Sequence, residues 1–219
     1  MQKQKRPGAA LGLLAAFLLW TILVRLIDVQ PIGPEGSTVG WATLNGLVRD
    51  LIGVRWSLYV MTDWLGLVPL CLMLGFALFG LIQWVKRKHL LQVDRSLLAL
   101  GGCYAAVMAA YGFFELCVVN YRPVLINGQL EASYPSSTTL LVLTVMPTAI
   151  MQLNARITRP LLRRCLTLLL AAFTLFMVIG RLLSGVHWLT DIIGGVLLSA
   201  GLVMTYAAIR DPERAPHRN

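Results

Sequence analysis

Five polar residues near the end of the chain and two short stretches before them carry the chemistry this sequence can perform. Gly180-Arg181-Leu-Leu-Ser184-Gly185-Val-His187-Trp188-Leu-Thr190-Asp191 sets an Arg, a His and an Asp in otherwise apolar surroundings. His187 and Asp191 are four apart, so on a helix they share one face, and an Asp there can hold one imidazole nitrogen, fix the tautomer and leave the other as a nucleophile or base. Arg181 and Arg122 are planar bidentate donors suited to phosphate oxygens. Arg122 belongs to Glu115-Leu-Cys-Val-Val-Asn-Tyr-Arg122-Pro123, and a third stretch, Tyr134-Pro135-Ser136-Ser137-Thr138-Thr139, offers hydroxyls and backbone N–H groups ahead of a helix start, a further anion site. Each feature alone has a structural explanation: a His–Asp hydrogen bond, an Arg snorkelling to head groups, a helix-start signal. Their convergence on one face points to phosphoryl chemistry.

The elements that must position these residues follow from composition. The chain has 219 residues, 57% hydrophobic and 13% charged, with a formal net charge of +9 and a mean hydropathy of +0.71. Soluble domains carry about 25% charged residues. Half that fraction excludes an ordinary soluble domain, and the apolar content excludes a disordered basic binder. The fold class expected is all-α: a polytopic membrane protein of six transmembrane helices, read as a single membrane domain over 1–219. The spans are expected at about 9–27, 62–85, 97–119, 139–155, 164–184 and 188–209, with Pro147 bending the fourth. The first follows Lys3, Lys5 and Arg6 like a signal peptide but lacks a small-x-small cleavage site, so it is expected to stay attached. Residues 28–57, rich in Gly and Pro and only mildly amphipathic, read as an interfacial or re-entrant segment.

Charge tests the span count independently of hydropathy. With the N-terminus inside, all 19 Lys and Arg lie on the inner side except Arg25, Arg49, Arg55, Arg122 and Arg181. Inner acids are only Asp94, Asp211 and Glu213; the other seven face out. Both termini are therefore expected in the cytoplasm, and the basic balance reflects orientation rather than a nucleic-acid partner. Cys71, Cys103, Cys117 and Cys165 sit singly in or beside apolar runs and read as buried small hydrophobes, with no metal or disulfide pattern.

These residues resemble the type-2 phosphatidic-acid phosphatase family of integral membrane phosphatases, whose motifs in order are Lys-x6-Arg-Pro, Pro-Ser-Gly-His and Ser-Arg-x5-His-x3-Asp. The third reads Gly180-Arg181-x5-His187-x3-Asp191 with both spacings intact. The first reads Glu115-x6-Arg122-Pro123, with a carboxylate for the Lys, and the second Pro135-Ser136-Ser137-Thr138, without the Gly and the His. The resemblance covers about 60–209 and implies a six-helix core in a bacterial plasma membrane. It implies that His187 attacks phosphorus to give a phosphohistidine, with Asp191 orienting it and Arg122, Arg181, Ser136, Ser137 and Thr138 around the phosphate. Neither cofactor nor metal is implied, and the partners are the substrate lipid and membrane lipids. The family's second-motif His protonates the leaving group; Thr138 cannot, and His89 and His217 lie on the inner side. A phosphate monoester leaving a diphosphate needs such help less than an alkoxide does, so a polyprenyl or other lipid diphosphate is expected over phosphatidic acid. Glu115 is the candidate replacement acid. Alternatives at this stage are a degenerate member that binds phospholipid as sensor or scaffold, a phosphotransferase that passes phosphate to an acceptor hydroxyl, and a lipid transporter; the last lacks the polar mid-membrane residues it would need in spans two, five and six.

Overall fold

The computed structural model describes residues 5–210. The inner-side charges expected at Lys3, Asp211, Glu213, Arg214 and Arg218, and His217 with them, lie outside the described residues. Among the described residues the chain is all-helical apart from irregular connections, and six helical runs are long and apolar enough to cross a membrane. They are α1 (Lys5–Leu26), the run formed by α3 (Trp56–Leu65) and α4 (Leu67–Arg87), α5 (Arg95–Leu116), α6 (Ser137–Arg156), α7 (Pro160–Leu183) and α8 (Leu189–Arg210); a short α2 (Ala42–Ile52) follows the first. The second span differs from the hydropathy reading. It begins at Trp56 rather than near 62, because Trp56-Ser-Leu-Tyr59-Val-Met is already apolar and Asp63 is its sole carboxylate. Gly66 joins α3 to α4, its N–H bonding back to the Thr62 and Asp63 carbonyls.

Helices α6 and α8 occupy the middle of the bundle, and small residues explain why. In lipid, helices associate where small side chains allow close approach, because lipid tails are as apolar as the helices themselves. On α8 a Cβ at Gly201 would sit 2.7 Å from the Leu14 side chain of α1, one at Gly194 2.6 Å from the Tyr134 ring, and one at Gly195 3.1 Å from Thr139. Tyr134 is thereby clamped beside α8; its hydroxyl bonds Thr21 at 2.7 Å and its ring stacks on Phe17 and meets Phe114 edge-on. Burial pushes that phenol above its ordinary pKa, which keeps it a neutral hydrogen-bonding group. The outer helices expose leucines such as Leu74, Leu78, Leu168 and Leu169 to the bilayer. Three of the four cysteines also face outward: only Cys103 is buried, while Cys71, Cys117 and Cys165 are exposed, correcting the expectation that all four are core residues. On a lipid-solvated helix an apolar residue gains nothing by turning inward.

At the end of the bundle bearing Arg87 and Arg156, Asp94 accepts from Gln83 at 2.8 Å and pairs with Arg87 at 3.1 Å and Arg156 at 3.6 Å. The Gln83 hydrogen bond lowers the Asp94 pKa, burial opposes it, and Arg87 and Arg156 add to the lowering. That network ties α4, α5 and α6 together at the end opposite the 117–136 connection.

Residues 28–57 pack on the α7–α8 turn. Asn45 of α2 is buried and donates to Gly40 O at 2.8 Å and Thr190 Oγ1 at 3.0 Å, while Leu47 and Leu51 on its other face are exposed. Arg55 N–H donates to Ser184 O at 2.9 Å. At Gly185 the backbone has φ +68° and a Cβ would meet Gly53 O at 2.0 Å, backbone against backbone. Gly185→Ala is therefore expected to cost about 1–3 kcal/mol from the left-handed conformation, with the steric overlap in addition. Thermal unfolding in detergent checks this, with Gly53→Ala failing to restore stability.

Candidate active site

The ends of α5 and α7 and the starts of α6 and α8 meet at one face of the bundle, and the 117–136 connection folds over them. Isolated bridges Tyr121↔Ala132 and Ile126↔Gln129 close 120–133 into a small hairpin. This shape brings Asn120, Arg122 and Ser133 to one point, since Ser133 N–H bonds Asn120 O at 2.9 Å and Arg122 N–H bonds Glu131 O at 3.0 Å.

His187 lies at that point, buried, immediately before α8. Its Nε2 is 3.2 Å from Arg122 Nη1 and 3.4 Å from Arg181 Nη2. Two cationic donors fix that nitrogen as the acceptor, so the ring proton belongs on Nδ1. Arg181 is 1% exposed. It reaches Thr62 Oγ1 at 3.3 Å and Asp63 at 3.6 Å, and its guanidinium lies 5.0 Å from the Tyr59 ring centroid. Arg122 is backed by Glu131, whose carboxylate lies 3.1 Å from its Nε. Each arginine thus keeps a carboxylate behind it and turns an Nη edge toward His187.

Asp191 departs from the helical spacing argument. His187 precedes α8 rather than sharing a face on it, so Nδ1 and the Asp191 carboxylate are 3.9 Å apart, too far for a hydrogen bond. Asp191 instead accepts the Trp188 backbone N–H at 2.9 Å, the reach-back of a helix capping box, together with Asn120 Nδ2 at 3.2 Å. Ser133 Oγ fills the gap, 2.9 Å from His187 Nδ1 and 2.5 Å from Asp191 Oδ2. Ser133 and Asn120 were not legible as site residues. Their roles depend on the hairpin, for which the sequence offers only Asn127-Gly128 as a turn signal.

The other expected residues divide. Glu115 and Ser137 line a small cavity together with His187, Ser133 and Tyr111. Thr138 lies in the adjoining groove, about 260 Å³, whose walls include Leu67, Leu70, Val107, Met108 and Leu140, with Asp63, Ser137 and Thr138 among its polar residues. Ser136 is fully buried; its hydroxyl accepts from Thr139 at 3.0 Å and its N–H bonds Asp191 O at 3.1 Å, so it braces the loop and does not line the cavity.

Burial, followed by the charges of Arg122 and Arg181, holds the His187 pKa well below its ordinary value of 6.5. Between that depressed value and 6.5 the unfolded chain binds a proton that the folded chain refuses, so this contribution to stability is present above 6.5 and lost as pH falls. The melting temperature of the protein should therefore fall more steeply with acidification below 6.5 than that of His187→Gln. Parallel slopes would contradict the depressed pKa.

A crystal structure of a transmembrane PAP2-type phosphatidylglycerolphosphate phosphatase from Bacillus subtilis has the same fold, with a TM-score of 0.53 and 21% identity over 91% of this chain and 93% of that one. No curated protein sequence matches the chain. The family model of the PAP2 superfamily matches residues 71–214, a stretch holding every group hydrogen-bonded to the His187 ring. The chain belongs to the PAP2 superfamily.

Proposed function

We propose that this protein is a membrane lipid phosphatase in which His187 Nε2 displaces the leaving group from a lipid phosphate, with lipid diphosphates such as polyprenyl diphosphates preferred. The observation behind it is the His187 lone pair facing two guanidinium groups at 3.2 and 3.4 Å. A phosphoryl group entering between them has three oxygens to share among Arg122, Arg181 and the Ser137 side. Its negative charge also offsets the two cations that suppress the basicity of the ring, so the nucleophile is strengthened when substrate arrives. Attack forms an N–P bond as the P–O bond to the leaving group breaks. Water then attacks the phosphohistidine, the N–P bond breaks, and inorganic phosphate departs from a neutral His187.

The apolar groove beside the cavity suits a lipid chain, and its opening between α4, α5 and α6 gives access from the bilayer. On the charge asymmetry of the loops, the site works at the outer face with both termini in the cytoplasm, and α2, with Leu47 and Leu51 exposed, lies along the interface. The Bacillus subtilis enzyme is named for a lipid phosphate. The preference for diphosphates comes from Thr138, whose hydroxyl is too weak an acid to protonate an alkoxide leaving group; Glu115, at the cavity wall, is the carboxyl nearest in role.

Phosphate release by the purified protein from undecaprenyl diphosphate and from phosphatidic acid tests this. Release from the diphosphate should be faster, and Thr138→His should narrow the gap by raising turnover of the monoester, for which general-acid help is worth about 10²–10⁴-fold. Equal release from both lipids refutes the preference, and lipid binding without phosphate release points to a sensor or scaffold.

A further inference from the structure

We infer that Ser133 is a positioning residue that couples Asp191 to His187, its hydroxyl donating to the carboxylate while accepting the imidazole Nδ1 proton. The role presupposes the phosphatase function proposed above. The hydrogen bonds leave one self-consistent pattern of protons. Asp191 Oδ2 lies 2.5 Å from Ser133 Oγ and also accepts from Trp188 N–H, and Oδ1 accepts from Asn120, so the carboxylate is surrounded by donors. Serine has one hydroxyl proton. Once that proton points to Asp191, the Ser133 oxygen can only accept along the 2.9 Å line to His187, which requires hydrogen on Nδ1. From the opposite side, the Nη donors of Arg122 and Arg181 require a lone pair on Nε2. Both edges of the ring select the same tautomer, the one that aims a lone pair at phosphorus.

The hydroxyl is held for this purpose and for no other visible partner. Ser133 is 3% exposed, and its backbone N–H is fixed to Asn120 O. The neighbouring Tyr134 is anchored against α8 by Gly194 and bonds to Thr21. When Nε2 becomes bonded to phosphorus the ring acquires positive charge, and the Ser133 dipole then transmits the compensating charge of Asp191, which at 3.9 Å has no direct hydrogen bond to offer. The charged groups bonded to or paired with the ring are Arg122 and Arg181 on the nucleophilic edge and Asp191 behind Ser133; Glu115 and Arg49 face it across the cavities they share with His187.

The test uses the full-length protein in detergent with 15N-labelled histidine, carrying His89→Gln and His217→Gln so that His187 is observed alone. With Ser133 present, the Nδ1–H form should dominate at neutral pH. Ser133→Ala should bring in the Nε2–H form and lower kcat for undecaprenyl diphosphate by roughly 10–100-fold, the usual range for loss of an orienting partner, while KM changes little. Ser133→Thr keeps the hydroxyl and should retain the tautomer and most of kcat. An unchanged tautomer and kcat in Ser133→Ala overturns the assignment. Should Ser133→Ala not fold, loss of the Nδ1–H form in Ser133→Thr overturns it and retention supports it. A tautomer shift in a protein that turns over no lipid would sustain the Ser133 coupling and refute the phosphatase function, so the two fail separately.

Discussion

Replacing His187 with alanine is expected to reduce phosphate release from lipid diphosphate by about 10⁴-fold or more, in the range seen when a nucleophile acting within a cooperative set of residues is removed. No other described side chain can take over. His89 lies before the Leu90–Gln92 turn at the far end of the bundle, and Ser137 and Thr138 make no hydrogen bond to an imidazole that could activate their hydroxyls. Phosphate should also fail to appear on the protein when it is quenched with acid-sparing conditions during turnover, whereas the unsubstituted protein should carry an alkali-stable, acid-labile phosphoryl group. Lipid binding should survive, because Arg122 and Arg181 remain and lose only a hydrogen-bond acceptor. Retention of activity in His187→Ala would remove the phosphohistidine mechanism altogether, and loss of lipid binding together with activity would point to collapse of the site instead.

The second large effect is expected at Arg181. Its guanidinium is enclosed by Thr62, Asp63 and Tyr59 from α3, and it presents Nη2 to His187 from a fixed direction. Lysine at this position keeps the charge but offers a single ammonium where a planar fork spanned Thr62 and the phosphate position. Loss of one preorganised donor at a centre where charge develops costs about 10²–10³-fold in kcat. Arg181→Lys should show that loss with a smaller change in KM. Arg122→Lys should cost less, because the Arg122 side chain is 11% exposed against 1% for Arg181 and its partner Glu131 is 41% exposed, so water can replace part of the lost interaction. Steady-state kinetics of the two variants on one lipid decide the order, and a larger loss at Arg122 would place the developing charge nearer the hairpin than the α7 end.

These expectations rest on features of unequal legibility. The spacing Arg181-x5-His187 is local, and a turn between two apolar spans leaves little freedom for where those side chains go. The clustered basic residues and the six apolar runs likewise describe themselves, because bilayer thickness and loop charge are properties of single segments. The direct His187–Asp191 hydrogen bond expected from their spacing is absent for a local reason: helical spacing brings residues four apart together only when both are in the helix, and α8 starts at Leu189. Ser136 is expected at the phosphate from its place in the second motif and before a helix, yet close packing of Thr139 and Ser136 against Gly195 makes it a brace behind the cavity. The early start of the second span also escaped hydropathy, although it is α3, within that added length, that supplies Tyr59, Thr62 and Asp63 around Arg181.

The sequence by itself determined that the chain is an all-helical membrane protein, which way its charges divide, and which Arg, His and Asp could handle phosphate. Each of these is written in composition, or in neighbours a few residues apart. Only the tertiary structure decided that Arg122 and Arg181, 59 positions apart in the chain, close on one imidazole nitrogen, and that a serine from the hairpin stands between His187 and Asp191. Those contacts form where a loop folded on its own bridges meets the glycine-lined face of α8, and no short-range periodicity encodes the meeting of two surfaces so distant in sequence.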